Sequence, residues 1–212
     1  STGPDWPRIN YTVRLTLYGA AIGAAAVLAN ALSKTPVAGE PDEAQSLWRA
    51  LMVAGGAVSG LVMTAPIIYR LYQLRPPLET RQFRKTFSLA ECLGLGLGYA
   101  VVFPPLAGGL VLPLAAQLFG IQQGYLGPGD IFYSLVDTLF LAPLRAVISV
   151  ISLMVTTAMA GLLFGAGVAI LDRLSPATYP QTAAPIAWVV VILLGAGVLT
   201  GAAFGPTSIF ES

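Results

Sequence analysis

Of 212 residues, 56% are hydrophobic and only 10% are charged, and the formal net charge is +1. Soluble domains carry about 25% charged residues, so this chain lacks the polar surface to cover itself in water, and its near-neutral balance gives no global field for nucleic acid. The chain has one cysteine, Cys92, and no histidine; this excludes an internal disulfide, any Ser–His or Cys–His catalytic couple within the chain, and the commonest ligand of haem and zinc.

Taken in order, residues 1–12 are a polar lead with Trp6, Arg8 and Tyr11 suited to an interface, without the pattern of a cleaved secretory signal. The apolar run 13–32 has the roughly 20 residues that cross a hydrocarbon core of about 30 Å, and it is expected to act as a retained anchor. A polar loop with Glu40, Asp42 and Glu43 leads to a second run, 47–69. Trp48 stands at one end of it and Tyr69 and Tyr72 at the other, as aromatic belts prefer. Arg70, Arg75, Arg81, Arg84 and Lys85 then form the densest basic stretch, which suits topogenic charge and contact with lipid headgroups or an acidic partner about equally.

The stretch Leu89 to Phe119 is almost uninterruptedly apolar, yet it holds Glu91, Gly94, Gly96, Gly98, Pro104-Pro105, Gly108-Gly109 and Pro113. Consecutive prolines remove two backbone donors and clash with the preceding turn, so the third span, 89–110, is expected to be broken or kinked at Pro104-Pro105. Residues 111–119 and 131–142 read as interfacial segments around a turn-rich loop, with Asp137 among large apolar residues in the second. A fourth span covers 144–171 and a fifth 186–204. The expected fold is thus an all-α, multi-pass transmembrane helix bundle of five spans, forming a single integral membrane domain over 1–212. The Arg-rich, Lys-poor balance, with lysine only at Lys34 and Lys85, fits a GC-rich bacterial genome, so a bacterial inner membrane is expected; the positive-inside rule expects the N-terminus cytoplasmic and the C-terminus outside.

Glycines four residues apart recur in every span: Gly19 and Gly23, Gly56 and Gly60, Gly94 and Gly98, Gly161 and Gly165, Gly197 and Gly201. Such pairs make a flat stripe that lets helix backbones approach closely, which matters in lipid because burying apolar side chains there gives no drive to associate. Glu91 is the one carboxylate placed inside a span, and an intramembrane acid is a candidate for proton or substrate handling. Its nearness to Arg84 and Lys85 favours plain interfacial pairing.

No clustered polar groups of a catalytic site stand out in the sequence, and no metal-ligand spacing or phosphate-cradling loop. The expected function is therefore non-catalytic. It is that of an integral membrane subunit that packs into and stabilises a larger complex, with bioenergetic complexes a natural host. Its glycine-lined grooves would receive neighbouring helices, lipid, quinone or pigment; chlorophyll would be held through Asn30, Gln117, a carbonyl or water. The alternative is a small transporter or channel using Glu91 and the broken third span.

Overall fold

A computed structural model describes residues 6–32, 42–73, 87–173 and 189–197. Its elements in chain order are α1 (Trp6–Leu32), α2 (Asp42–Gln73), α3 (Leu89–Leu106), a π-helical turn (Ala107–Val111), α4 (Leu112–Gln122), α5 (Pro128–Ser152) and α6 (Met154–Arg173). Residues 189–197 are also helical, and there is no strand among the described residues. Five helical stretches are long and apolar enough to cross a membrane: Thr12–Asn30, Gln45–Arg70, Leu89–Gln122, Pro128–Ser152 and Met154–Arg173. The chain is an all-helical, multi-pass membrane bundle.

Close contacts fix how the helices run. A Cβ added to Gly23 would lie 2.5 Å from the Gly56 carbonyl oxygen, and one on Gly60 would lie 2.6 Å from that of Gly19. Residue numbers rise on α1 as they fall on α2, so the two are antiparallel. α3 runs parallel to α1: the Tyr99 hydroxyl donates to the Gly19 carbonyl at 2.9 Å, and Phe103 reaches the open side of Gly23. α6 is antiparallel to α3, with Gly161 on Gly96 and Gly165 on the Cys92 carbonyl.

The same antiparallel ladder continues onto α5. Ser149 Oγ donates to the Pro104 carbonyl at 2.7 Å, Gly109 faces Ala146, and Gln117 bonds to Ser134 and Thr138. α5 and α6 therefore lie end to end, meeting at Leu153, and together they follow the whole length of Leu89–Gln122. The molecule contains two broken rods side by side. The expected fourth span, 144–171, straddles this junction, and the expected interfacial segment 131–142 lies in the first half of α5 rather than forming a separate helix. The segment 111–119 likewise continues the first rod. The expected fifth span lies outside the described residues apart from 189–197.

Each break has a chemical cause. Proline at 104 and 105 leaves the ladder short of two N–H donors, and the Ala107 N–H is shared between the carbonyls of Phe103 and Pro104. The helix passes through both prolines and widens into the π-turn immediately after them. Gly108 and Gly109 in that turn seat α5: a Cβ at Gly108 would collide with that of Ser149. In the second rod, Leu153 leaves helical geometry (φ −106°, ψ 4°) and its carbonyl accepts from Thr156 Oγ1, Thr157 Oγ1 and the Thr157 N–H. Hydroxyls that bond back to the preceding turn bend helices in this way.

The rods are joined at their far end by a tight turn. Gly124 takes φ +74°, and the Gly120 carbonyl accepts from the N–H groups of Tyr125 and Leu126, the bonding that ends helices at a left-handed residue. Pro128 then opens α5, with the Asp130 carboxylate accepting from the Gly127 N–H.

Glycine substitutions separate contact from mere composition. Gly161→Leu is expected to lower unfolding stability in detergent by about 1–3 kcal/mol, because its side chain meets the α3 backbone. Gly98→Leu, with nothing within 4 Å of its added Cβ, is expected to stay within about 0.5 kcal/mol of the parent. Chemical unfolding followed by tryptophan fluorescence measures both.

Candidate functional site

The two seams of close approach converge on four rings. Tyr99 packs on Phe164 at 4.6 Å and on Phe103 at 5.2 Å between centroids, and Tyr18 stacks on Phe164 at 6.1 Å. Tyr18 donates to the Leu163 carbonyl at 2.9 Å, and its ring fills the space a side chain on Gly167 would need. Both phenols thus satisfy their polar ends on helix carbonyls, as buried tyrosines require. Beside them Met63, Thr64, Ile67, Ile68 and Leu95 line a shallow apolar cleft with room for about one water. This is a packed centre and not a chamber.

The predicted glycines divide between contact and open surface. Gly19, Gly23, Gly56, Gly60, Gly161 and Gly165 all stand where an added Cβ would come within 3.0 Å of a neighbouring helix. Gly94, Gly98 and Gly197 meet nothing within 4 Å, and Gly201 lies outside the described residues. On α3 the contact is made by Gly96, two positions off the predicted pair. Gly94 and Gly98 instead lie beside the exposed Leu93, Leu97 and Val101.

Glu91 is an end-capping residue. Ser88 Oγ accepts from the Glu91 N–H at 3.1 Å, and the Glu91 carboxylate accepts from the Ser88 N–H at 2.6 Å, the reciprocal box that starts a helix. Its side chain is exposed at the end of α3, where a carboxylate also favours the helix dipole. Among the described residues the buried carboxylate is Asp172, which accepts from the Phe87 N–H at 2.5 Å and so ties the start of α3 to the end of α6. Arg14 is buried as well. The parallel course of α1 and α3, with α2 and α6 opposed, brings Arg14, Glu91, Asp172, Arg173 and the exposed Arg70 to one end of the bundle. The remaining basic residues of that stretch, Arg75, Arg81, Arg84 and Lys85, lie outside the described residues.

At the other end, a polar cluster joins α4 to α5. Gln117 Nε2 donates to the Ser134 carbonyl at 2.6 Å and to Thr138 Oγ1, which is buried. Arg145 Nη1 donates to the same Thr138 hydroxyl at 3.2 Å, and its Nη2 lies 3.6 Å from the Asp137 carboxylate. Around this cluster α5 is bare. Only 11% of its apolar window is buried, against 61% for α1, and Phe132, Tyr133, Leu139 and Phe140 are exposed. Asn30 is half-buried, and Gln117 is engaged with α5 as described. Among the described residues no group of three His, Cys, Asp or Glu side chains is placed to hold a metal ion.

Sequence spacing missed Gly96, Gly108, Gly109 and Asp172. For Asp172 the signal was an acid closing an apolar run; for the glycines no spacing rule identifies which member of a glycine-rich helix faces a neighbour. Comparison with protein-family models, with curated proteins and with solved structures gave no match.

The capping geometry sets an expectation for Glu91. Ser88→Ala is expected to cost about 1 kcal/mol of unfolding stability through the lost cap, whereas Glu91→Gln, which keeps an acceptor for the Ser88 N–H, is expected to cost less than about 0.5 kcal/mol. A thermal unfolding series on the three proteins checks the order.

Proposed function

We propose that the chain is a non-catalytic integral membrane subunit that packs into and stabilises a larger membrane protein complex. The observation that carries this reading is the uncovered end of the paired rods. Leu89–Gln122 contains 34 residues, about 50 Å at 1.5 Å per residue, against a hydrocarbon core of about 30 Å. The surplus is formed by α4, which packs beside α2 with Leu112 and Ala115 at Gly55 and Phe119 on Trp48, and by the first half of α5; its outer face is not polar. It exposes Leu118, Ile121, Phe132, Tyr133, Leu139 and Phe140.

An apolar face of that extent calls for protein or lipid cover. A neighbouring subunit supplies cover along the whole surplus length, and the open Gly94–Gly98 stripe on α3 offers a second helix a place to approach. On this reading the chain resides in a bacterial inner membrane, its basic end cytoplasmic, as the positive-inside rule places it. A bioenergetic assembly is a natural host, with lipid, quinone or pigment held between this chain and its neighbours.

Mild detergent extraction of native membranes, followed by native electrophoresis and mass spectrometry of co-migrating chains, tests the reading. The expected result is migration in a stoichiometric complex far larger than the 22.0 kDa chain. Migration of the chain alone, or as a small homo-oligomer, overturns it.

A further inference from the structure

The interruptions of the two rods stand side by side, and the bonding at both is redundant. Ser149 Oγ has one proton and two acceptors in reach, the Pro104 carbonyl at 2.7 Å on the other rod and the Ala146 carbonyl at 2.8 Å on its own. The Pro104 carbonyl also accepts from the Ala107 N–H, shared with that of Phe103. At Leu153 one carbonyl with two lone pairs has three donors, Thr156 Oγ1, Thr157 Oγ1 and the Thr157 N–H. The bond across the rods can therefore break without leaving its hydroxyl or its carbonyl unpaired. Inside a membrane that is a condition for movement, since no water is there to satisfy a freed polar group.

The backbone at this level is also short of rungs. Pro104 and Pro105 withhold two N–H groups from the helical ladder, and the π-turn Ala107–Val111 follows directly. Wide turns of this kind recur at functional sites. Gly108 presents no side chain where Ser149 faces it.

The parts on either side of the joint are built differently. Toward the charged end, α1, α2, α3 and α6 interlock by backbone: Cβ atoms added to Gly23, Gly60 and Gly96 would fall within 2.6 Å of the carbonyl oxygens of Gly56, Gly19 and Gly161. On the other side α4 and α5 form one hairpin, closed by the turn at Gly124 and cross-bonded by Gln117 to Ser134 and Thr138. The hairpin meets α2 through side chains. The nearest atoms to a Cβ added at Gly55 belong to the side chains of Leu112, Val111 and Ala115, from 3.1 Å outward, and Phe119 meets Trp48 edge-on at 5.2 Å. Side chains resting on a glycine surface can part; interlocked backbones cannot.

We infer that the α4–α5 hairpin pivots as one body on the paired interruptions, parting α4 from α2 at Gly55 and Trp48. As it opens, the Ser149 hydroxyl passes its bond from Pro104 to Ala146. The π-turn and Leu153 take up the rotation, as hinge residues at the ends of rigid elements do. The pivot belongs to the chain itself and needs no neighbouring subunit.

Double electron–electron resonance between paired spin labels is the test, on the full-length chain in lipid nanodiscs with its single cysteine replaced (Cys92→Ala). Labels at the exposed Val58 of α2 and Phe140 of α5 span the joint; Val58 with Leu97, and Tyr125 with Phe140, report on each body alone. Phe140 lies about 20 Å from Leu153 along α5, so a pivot of about 15° carries its label about 5 Å. Across the joint a second distance, shifted from the first by about 5 Å, is expected, with a single distance within each body. Pro104→Ala combined with Pro105→Ala returns two rungs to the ladder and is expected to remove the second distance. Gly108→Ala, whose methyl would collide with Ser149, is expected to raise its share. A single cross-joint distance as narrow as the references, a second distance inside either body, one that persists in the double proline variant, or one indifferent to Gly108→Ala overturns the proposal.

Discussion

Two helices in lipid gain little by hiding apolar side chains from one another, since the tails around them are as apolar as leucine. What remains is close backbone contact with well-placed hydrogen bonds, and this bundle depends on that at α1. Gly19 and Gly23 touch the α2 backbone on one side and receive Tyr99 and Phe103 on the other. The Gly19 carbonyl accepts the Tyr99 hydroxyl, so one glycine both admits α2 and anchors α3. Remove the closeness and the aromatic centre of Tyr18, Tyr99, Phe103 and Phe164 loses its frame.

From that centre the architecture extends as two rods in register. The π-turn after Pro104-Pro105 and the break at Leu153 lie close together in height, because Ser149 already bonds to the Pro104 carbonyl. Each rod is interrupted where the other is, and the two stay in contact on both sides of the interruption. Gly108 and Gly109 keep α5 close at that point, and Thr156 and Thr157 cap the restart of α6. Irregular backbone inside a membrane protein persists where neighbouring helices supply partners, and here they do.

The ends of the bundle differ in chemistry. One gathers arginines, the cap of α3 and buried Asp172, and ties α3 to α6. The other carries the hairpin of α4 and α5, with α4 packed beside α2, apolar in outline and holding the Gln117–Thr138–Asp137–Arg145 cluster. The proposed role follows from this difference: the uncovered apolar surface of the hairpin calls for a neighbouring subunit.

Much of this was legible in the residues. Apolar run length is a one-dimensional property set by membrane thickness, so the helical, multi-pass character was readable directly, as was the irregularity near Pro104-Pro105. The glycine pairs of α1, α2 and α6 were also readable as places of close approach. Which face of α3 meets α6 was not: Gly94, Gly96 and Gly98 are equivalent in composition, and only the position of Gly161 selects Gly96. Likewise a hydropathy window cannot see a one-residue break, so α5 and α6 merged with their surroundings in the sequence until Leu153 and its threonine hydroxyls separated them. Glu91 and Asp172 make the same point for charge: both are acids at the edges of apolar runs. Sequence alone singled out Glu91 and passed over Asp172, and the tertiary structure decided that the first caps its own helix while the second is buried, because burial depends on what packs against a residue and not on its neighbours in the chain.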